Sequence, residues 1–226
     1  MPLHNCGQVS DYLVKTETQM TRTYLPGILA MAAIVVASNI LVQFLLGDFL
    51  TWGALTYPLA FLVNDVMNRV YGASAARRVV WVGFATGVAA SLVGSQIIGE
   101  FGPLVTLRIA IGSGTAFLTA QLLNVFIFDR LRDQRWWKAP LASTLVGSVV
   151  DTALFFSIAF AAAFTFIEPG NDVSWANEAV PLLGWGTDAP LWVSLAVADW
   201  MVKLSLALIA LAPFRIITRK MTQSVA

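Results

Sequence analysis

The chain has 226 residues, of which 58% are hydrophobic and only 12% charged, with a mean hydropathy of +0.73. A soluble domain carries roughly twice that share of charge, so the composition argues for a chain built to sit in a lipid bilayer. The net charge of +1 offers no basic patch for a nucleic acid. One cysteine, Cys6, and one histidine, His4, exclude a disulfide framework, and as lone polar residues near the N-terminus they read as solvated bystanders rather than metal ligands.

Residues 1–23 form a polar segment without the short apolar core and small-residue cleavage site of a secretory signal, so no N-terminal processing is expected. Six apolar stretches follow, near 24–46, 52–70, 79–99, 103–128, 139–166 and 190–213. Each reaches the ~20 residues a spanning helix needs, the second marginally and with a polar end, and strand-like alternation is absent. The predicted fold class is therefore an all-α membrane protein, a compact bundle of six transmembrane helices over 24–213, followed by a tail over 214–226.

The connections set the expected orientation. Lys15, Arg22, Arg69, Arg77, Arg78, Arg130, Arg132, Arg135, Lys138, Arg215, Arg219 and Lys220 fall on the side of the two termini, twelve cations against none on the other side. That asymmetry predicts cytoplasmic termini. Asp48, Glu100, Glu168, Asp172, Glu178 and Asp188 lie opposite, and 167–189, rich in Pro and Gly, reads as an outer loop or lid. Gly83, Gly87, Ser91, Ser95 and Gly99 make a four-residue ladder of small side chains, the mark of a close helix contact.

Two cations escape the pattern, Arg108 and Lys203, both inside apolar segments. Charges in hydrocarbon cost ~2.5 to 3.5 kcal/mol each on insertion scales and persist where they line a path or a site. Asn39 and Gln43 are four apart on the first helix, as are Asn64 with Asn68 and Asp65 with Arg69 on the second. The fourth helix carries Arg108, Gln121 and Asn124. Asp151 falls near mid-bilayer on the fifth helix, and Asp199 at similar depth on the sixth with Lys203 one turn beyond, placed for an i to i+4 ion pair. Asp151 and Arg108 have no partner on their own helix, so their partners must cross the bundle.

Catalysis is poorly served by this set. No HExxH pattern, no histidine or cysteine in the apolar segments and no Gly-rich phosphate loop is present. A Ser and Lys dyad on Lys203 would need a serine on a strained turn, and none is visible. Carboxylates, amides, one lysine and rings suit recognition and passage of a small polar molecule, with no cofactor.

The runs SNILVQ (38–43), WGALTYPLAFLVND (52–65), RVYGASAARR (69–78), VFIFDRLRDQRWWKAPLAST (125–144), GSVVDTALFFSIAF (147–160) and DWMVK (199–203) resemble those of the bacterial queuosine-precursor transporters, over roughly 30–215. The resemblance implies a six-helix inner-membrane importer of the 7-deazaguanine bases preQ0 and preQ1. It carries family-like positions onto Asn39, Gln43, Asp65, Arg69, Arg77, Arg78, Arg108, Gln121, Arg130, Asp151, Asp199 and Lys203; Tyr57, Asn64 and the segment 173–187 depart from the pattern.

For such a base, Asp151 or Asp199 can accept the paired N–H groups of the guanine-like edge. Asn39, Gln43, Gln121, Asn124 or Arg108 can donate to its carbonyl, and Tyr57, Phe61, Phe155, Phe156 and Trp200 offer stacking faces. Asp65 adds negative charge that suits the cationic aminomethyl form. Two other readings stay open: the substrate-binding subunit of a multi-component importer with an ATPase partner, and an intramembrane enzyme or non-transporting membrane protein. The oligomeric state, including a homodimer, is also open.

Overall fold

The computed structural model describes the backbone of residues 6–100 and 102–225 and the side chains of 24–100 and 102–223. His4 and the side chain of Cys6 lie outside the described residues. The helices are α1 (Cys6–Leu41), α2 (Gly53–Thr56), α3 (Leu59–Tyr71), α4 (Ala73–Gln96), α5 (Leu107–Leu131), α6 (Lys138–Phe160) and α7 (Leu191–Val225). Among the described residues, five segments are long and apolar enough to cross a bilayer: Tyr24–Leu41, Ala73–Gln96, Leu107–Leu131, Lys138–Phe160 and Leu191–Gln223. Side chains such as Leu92, Ile209 and Leu29 stand more than half exposed on their outer faces, as lipid-facing residues do.

The second expected span, 52–70, is not one helix. Pro58 has no N–H to give to the carbonyl of Ala54, and its ring crowds that carbonyl, so the helical ladder breaks there. The chain passes the break through tighter bonds, Ala60 N–H to Tyr57 O at 3.0 Å and Phe61 N–H to Pro58 O at 3.1 Å. What results is a single turn, α2, stacked before the 13-residue α3. Tyr57 stands at the joint.

Other boundaries also move. α1 ends at Leu41, five residues short of the expected 46; Gln43 lies beyond it, exposed, so Asn39 and Gln43 share no helical face. α4 starts at Ala73 rather than 79, because 73–78 are good helix formers and Gly72 at φ 87° turns the chain directly out of α3. α6 stops at Phe160, followed by a 3-10 helix at Ala162–Ile167. α7 continues through Pro213 into the expected tail, where buried Phe214 meets Phe128 at 6.1 Å between centroids.

Among the described residues three antiparallel hairpins close the turns: β1 (Leu45–Leu46) with β2 (Leu50–Thr51), β3 (Ile98–Gly99) with β4 (Gly102–Pro103), and β5 (Ala179–Pro181) with β6 (Asp188–Pro190). Their registers pair Leu46 with Leu50, Gly99 with Gly102 and Val180 with Ala189. The outer segment expected as a loop is thus partly folded.

The core sits where α1, α3, α4 and α5 meet, around Met31, Ala60, Met67, Val79, Val80 and Phe117. A Cβ on Gly83 would come within 2.7 Å of Met31 and 2.8 Å of Phe117, so the small-residue ladder is a packing contact at that level. Farther along α4 the same ladder does something else.

Candidate functional site

Asp151 on α6 and Lys203 on α7, fifty-two positions apart, form an ion pair at 2.6 Å. Lys203 also pairs with Asp199 at 2.5 Å, as their i to i+4 spacing predicts. Thr152 ties the two helices together: its hydroxyl accepts from Lys203 at 2.9 Å and donates to Asp199 at 2.8 Å. The Tyr57 hydroxyl donates to the second oxygen of Asp151 at 2.8 Å, and the ammonium lies 5.4 Å from the Tyr57 ring centroid. Asp151 and Lys203 are 3% and 4% exposed. Two carboxylates thus share one ammonium, and the fully ionised set carries one excess negative charge in a low-dielectric interior.

A cavity of about 490 Å³ opens between α1, α4 and α5, within the ~300 to 1,000 Å³ range of small-molecule sites. Gly87, Ser91 and Ser95 line it, so the ladder of α4 yields space here rather than contact. Asn39, Thr106, Ser113, Gln96 and Glu168 add polar groups, and Phe84 and Phe117 add rings. Tyr57 lines the same cavity. One side chain therefore faces the open space and holds Asp151.

Arg108 is fully buried and finds its partners across the bundle, as its lack of a local one requires, but they are backbone carbonyls. Its Nε donates to Ile158 O at 3.1 Å and its Nη2 to Ala161 O at 2.7 Å. Ile158 O lies in the last turn of α6 and Ala161 O at its C-cap, where it also accepts from Phe164 N–H at 3.1 Å, and a cation there complements the helix dipole. The backbone N–H of Arg108 donates to Glu168 at 3.1 Å. Arg108 thus terminates α6 and ties it to the start of α5, apart from the Asp151 cluster.

Asp65 does not pair with Arg69. Ser143 and Thr144 donate to its two oxygens at 3.3 and 3.1 Å, while Arg69 donates to Arg132 O at 2.6 Å and lies over Phe128 at 5.2 Å. Buried amides join α3 to α5: Asn64 Nδ2 lies 2.8 Å from Gln121 Oε1 and 3.1 Å from Asn124 Oδ1, and Asn68 donates to Val125 O at 3.1 Å. Asn64 Oδ1 and Gln121 Nε2 have no hydrogen-bond partner among the described residues, while the Asn124 amide reaches toward Asp65, so this knot keeps spare bonding capacity inside the bundle.

The remaining expected site residues scatter. Asn39 lines the cavity, its amide bonded to Val35 O at 2.9 Å. Phe155 and Phe156 stack on one another and on Phe160, outside the cavity wall. Trp200 is partly buried, its indole N–H without a partner among the described residues. Thr152 and Glu168 were not singled out by sequence reading; a hydroxyl beside a buried carboxylate was the available signal for Thr152.

A bundle of lipid-facing helices around a buried charged cluster beside an open cavity defines a polytopic membrane transport protein. The family model described as "Putative vitamin uptake transporter" matches residues 51–218. The chain is 34% identical over 194 residues, 80% of this chain and 79% of the relative, to the "Queuosine precursor transporter" of Escherichia coli. It is 34% identical over 174 residues, 72% of this chain and 66% of the relative, to the "Probable queuosine precursor transporter" of Haemophilus influenzae, and 26% identical over 196 residues, 78% of this chain and 75% of the relative, to the one of Bacillus subtilis. No solved structure matches the chain. The chain belongs to the queuosine precursor transporter family of vitamin uptake transporters, a family of carriers rather than enzymes.

Proposed function

We propose that this chain imports the 7-deazaguanine bases preQ0 and preQ1 across the inner membrane for tRNA queuosine synthesis. In this reading α2 and α3 together make one crossing, six crossings result, and the segments 1–23 and 214–226 are cytoplasmic. The twelve-to-none charge asymmetry supports that orientation.

The observation that carries the substrate reading is the double engagement of Tyr57, which lines the cavity and donates to Asp151. A flat base enters between α4 and α5 and stacks near Phe84 and Phe117. Tyr57 gives way, and the freed Asp151 oxygen accepts the ring N–H and exocyclic amine of the base. The replaced bond is charge-assisted, and so is the new one, so the exchange leaves no buried carboxylate oxygen bare. The unpaired Asn64 Oδ1 and Gln121 Nε2 offer a second set of partners deeper in the bundle.

The test is uptake of radiolabelled preQ1 in a host unable to make the base, with guanine as competitor. Wild type restores uptake, and Asp151→Asn abolishes it at unchanged membrane protein level, because a neutral amide offers the base no charge-assisted acceptor and no longer holds Lys203. Full uptake by that variant would remove Asp151 from recognition; no uptake by wild type would remove the substrate class.

A further inference from the structure

The hydrogens of the Lys203 cluster are all committed. The ammonium directs its three to Asp151 Oδ2, Asp199 Oδ2 and Thr152 Oγ1. Thr152 gives its own to Asp199 Oδ2, and Tyr57 gives its own to Asp151 Oδ1. Asp199 Oδ1 receives none among the described residues. The side chain of Asp199 is also the more open of the two carboxylates, 13% exposed against 4% for Asp151. The two aspartates are therefore unequal: Asp151 is enclosed by donors on both oxygens, and Asp199 presents a bare one.

We propose that this cluster is a coupling-proton site, with the proton taken up at Asp199 Oδ1, so that import of the base is driven by the proton gradient; the proposal rests on the transporter reading above. Ionised, the cluster holds two negative charges against one positive; a proton on Asp199 makes it neutral. The proton comes from the water of the cavity, whose wall includes Tyr57 of the cluster, and is given up to the cytoplasm. Protonation of Asp199 releases one of the two carboxylates that Lys203 holds, and base bound at Asp151 changes the other. The two events meet at one ammonium, and such linkage is reciprocal.

The groups facing Asp199 are Asp151 and Thr152 from α6, Lys203 from its own helix and Tyr57 from the α2–α3 joint. Of the outer elements packed on α7, β2, the 3-10 helix Ser174–Asn177 and the 3-10 helix Leu182–Gly184 bring no titratable side chain, and β6 brings Asp188, which is exposed. From α3 the acidic group is Asp65, already engaged by Ser143 and Thr144.

The experiment measures the steady-state ratio of preQ0 inside and outside liposomes holding the full chain, at several imposed pH gradients. The uncharged nitrile form keeps the base's own charge out of the reading, and a steady-state ratio does not depend on how fast a variant works. With acid outside, wild type accumulates the base, approaching about tenfold per pH unit for one proton per base. Asp199→Asn brings the base to equal concentrations at every gradient. A wild-type ratio of one at every gradient, with entry still observed, overturns the coupling and leaves the transport reading standing. No entry by wild type overturns both. An Asn variant whose ratio follows the gradient removes the proton from Asp199. If that variant moves no base at all, Asp199→Glu decides: gradient-dependent accumulation supports the site, and its absence overturns it.

Discussion

Replacing Lys203 by methionine tests whether the ammonium holds the site together. The substitution keeps the length of the side chain and removes the charge, leaving Asp151 and Asp199 ionised on either side of Thr152 with their contacts at 2.6 and 2.5 Å gone. Removing one partner of a buried ion pair costs about 3 to 5 kcal/mol, since the charge left behind is uncompensated. Asp199 retains some exposure, which places the loss toward the lower end. For a chain of this size each kcal/mol moves the melting temperature by roughly 2 to 4 °C, so Lys203→Met should melt on the order of 10 °C below wild type. The assay is thermal unfolding in detergent, followed by the fluorescence of the eight tryptophans. The neutral triple variant Lys203→Met, Asp151→Asn, Asp199→Asn should recover most of that loss, because no unpaired charge remains. A single variant within about 2 °C of wild type, or a triple variant no more stable than the single, would refute the idea that charge compensation organises this site.

Three further outcomes follow from the same geometry. Tyr57→Phe removes one hydrogen bond to a carboxylate, worth ~1.5 to 3 kcal/mol, that the incoming base has to displace, and should lower the base concentration for half-maximal uptake roughly 10- to 100-fold; an unchanged or raised value would mean that the base does not take the place of Tyr57. Arg108→Gln deprives α6 of two carbonyl contacts and should lower stability by about 2 to 4 kcal/mol, with Arg108→Lys recovering only part because a point donor cannot span both carbonyls; thermal melts of the three proteins decide it. Ser91→Trp places a large ring in the cavity and should abolish uptake without lowering the melting temperature; unchanged uptake would detach the cavity from transport.

The long apolar segments and the charge asymmetry are written locally, in composition, and five of the expected spans are found as helices suited to a membrane. The i to i+4 pair of Asp199 and Lys203 was equally legible, since helix geometry alone brings them together. Asp151 could be marked as needing a partner across the bundle, but its choice of Lys203 depends on how α6 and α7 slide against each other, which no local spacing encodes. Arg108 shows the opposite limit. A buried cation reads as a site, yet its acceptors are backbone carbonyls of a helix end that sequence reading placed six residues too far along. Pro58 stood in plain view inside the second span; the expected helix ran through it because apolar residues continue on both sides.

The break at Pro58 also bears on how the protein is made. α3 is only 13 residues long and carries Asn64, Asp65, Asn68 and Arg69, and it is not among the segments apolar enough to cross by length and composition. An isolated charge at the centre of a spanning helix opposes release into lipid by ~2.5 to 3.5 kcal/mol. The groups that satisfy α3, namely Gln121, Asn124 and Val125 on α5 and Ser143 and Thr144 on α6, emerge from the ribosome some 60 to 80 positions later. If α2 and α3 together make one crossing, as proposed, the partners of α3 follow it in the chain, and its stable insertion is expected to come late and together with α5 and α6.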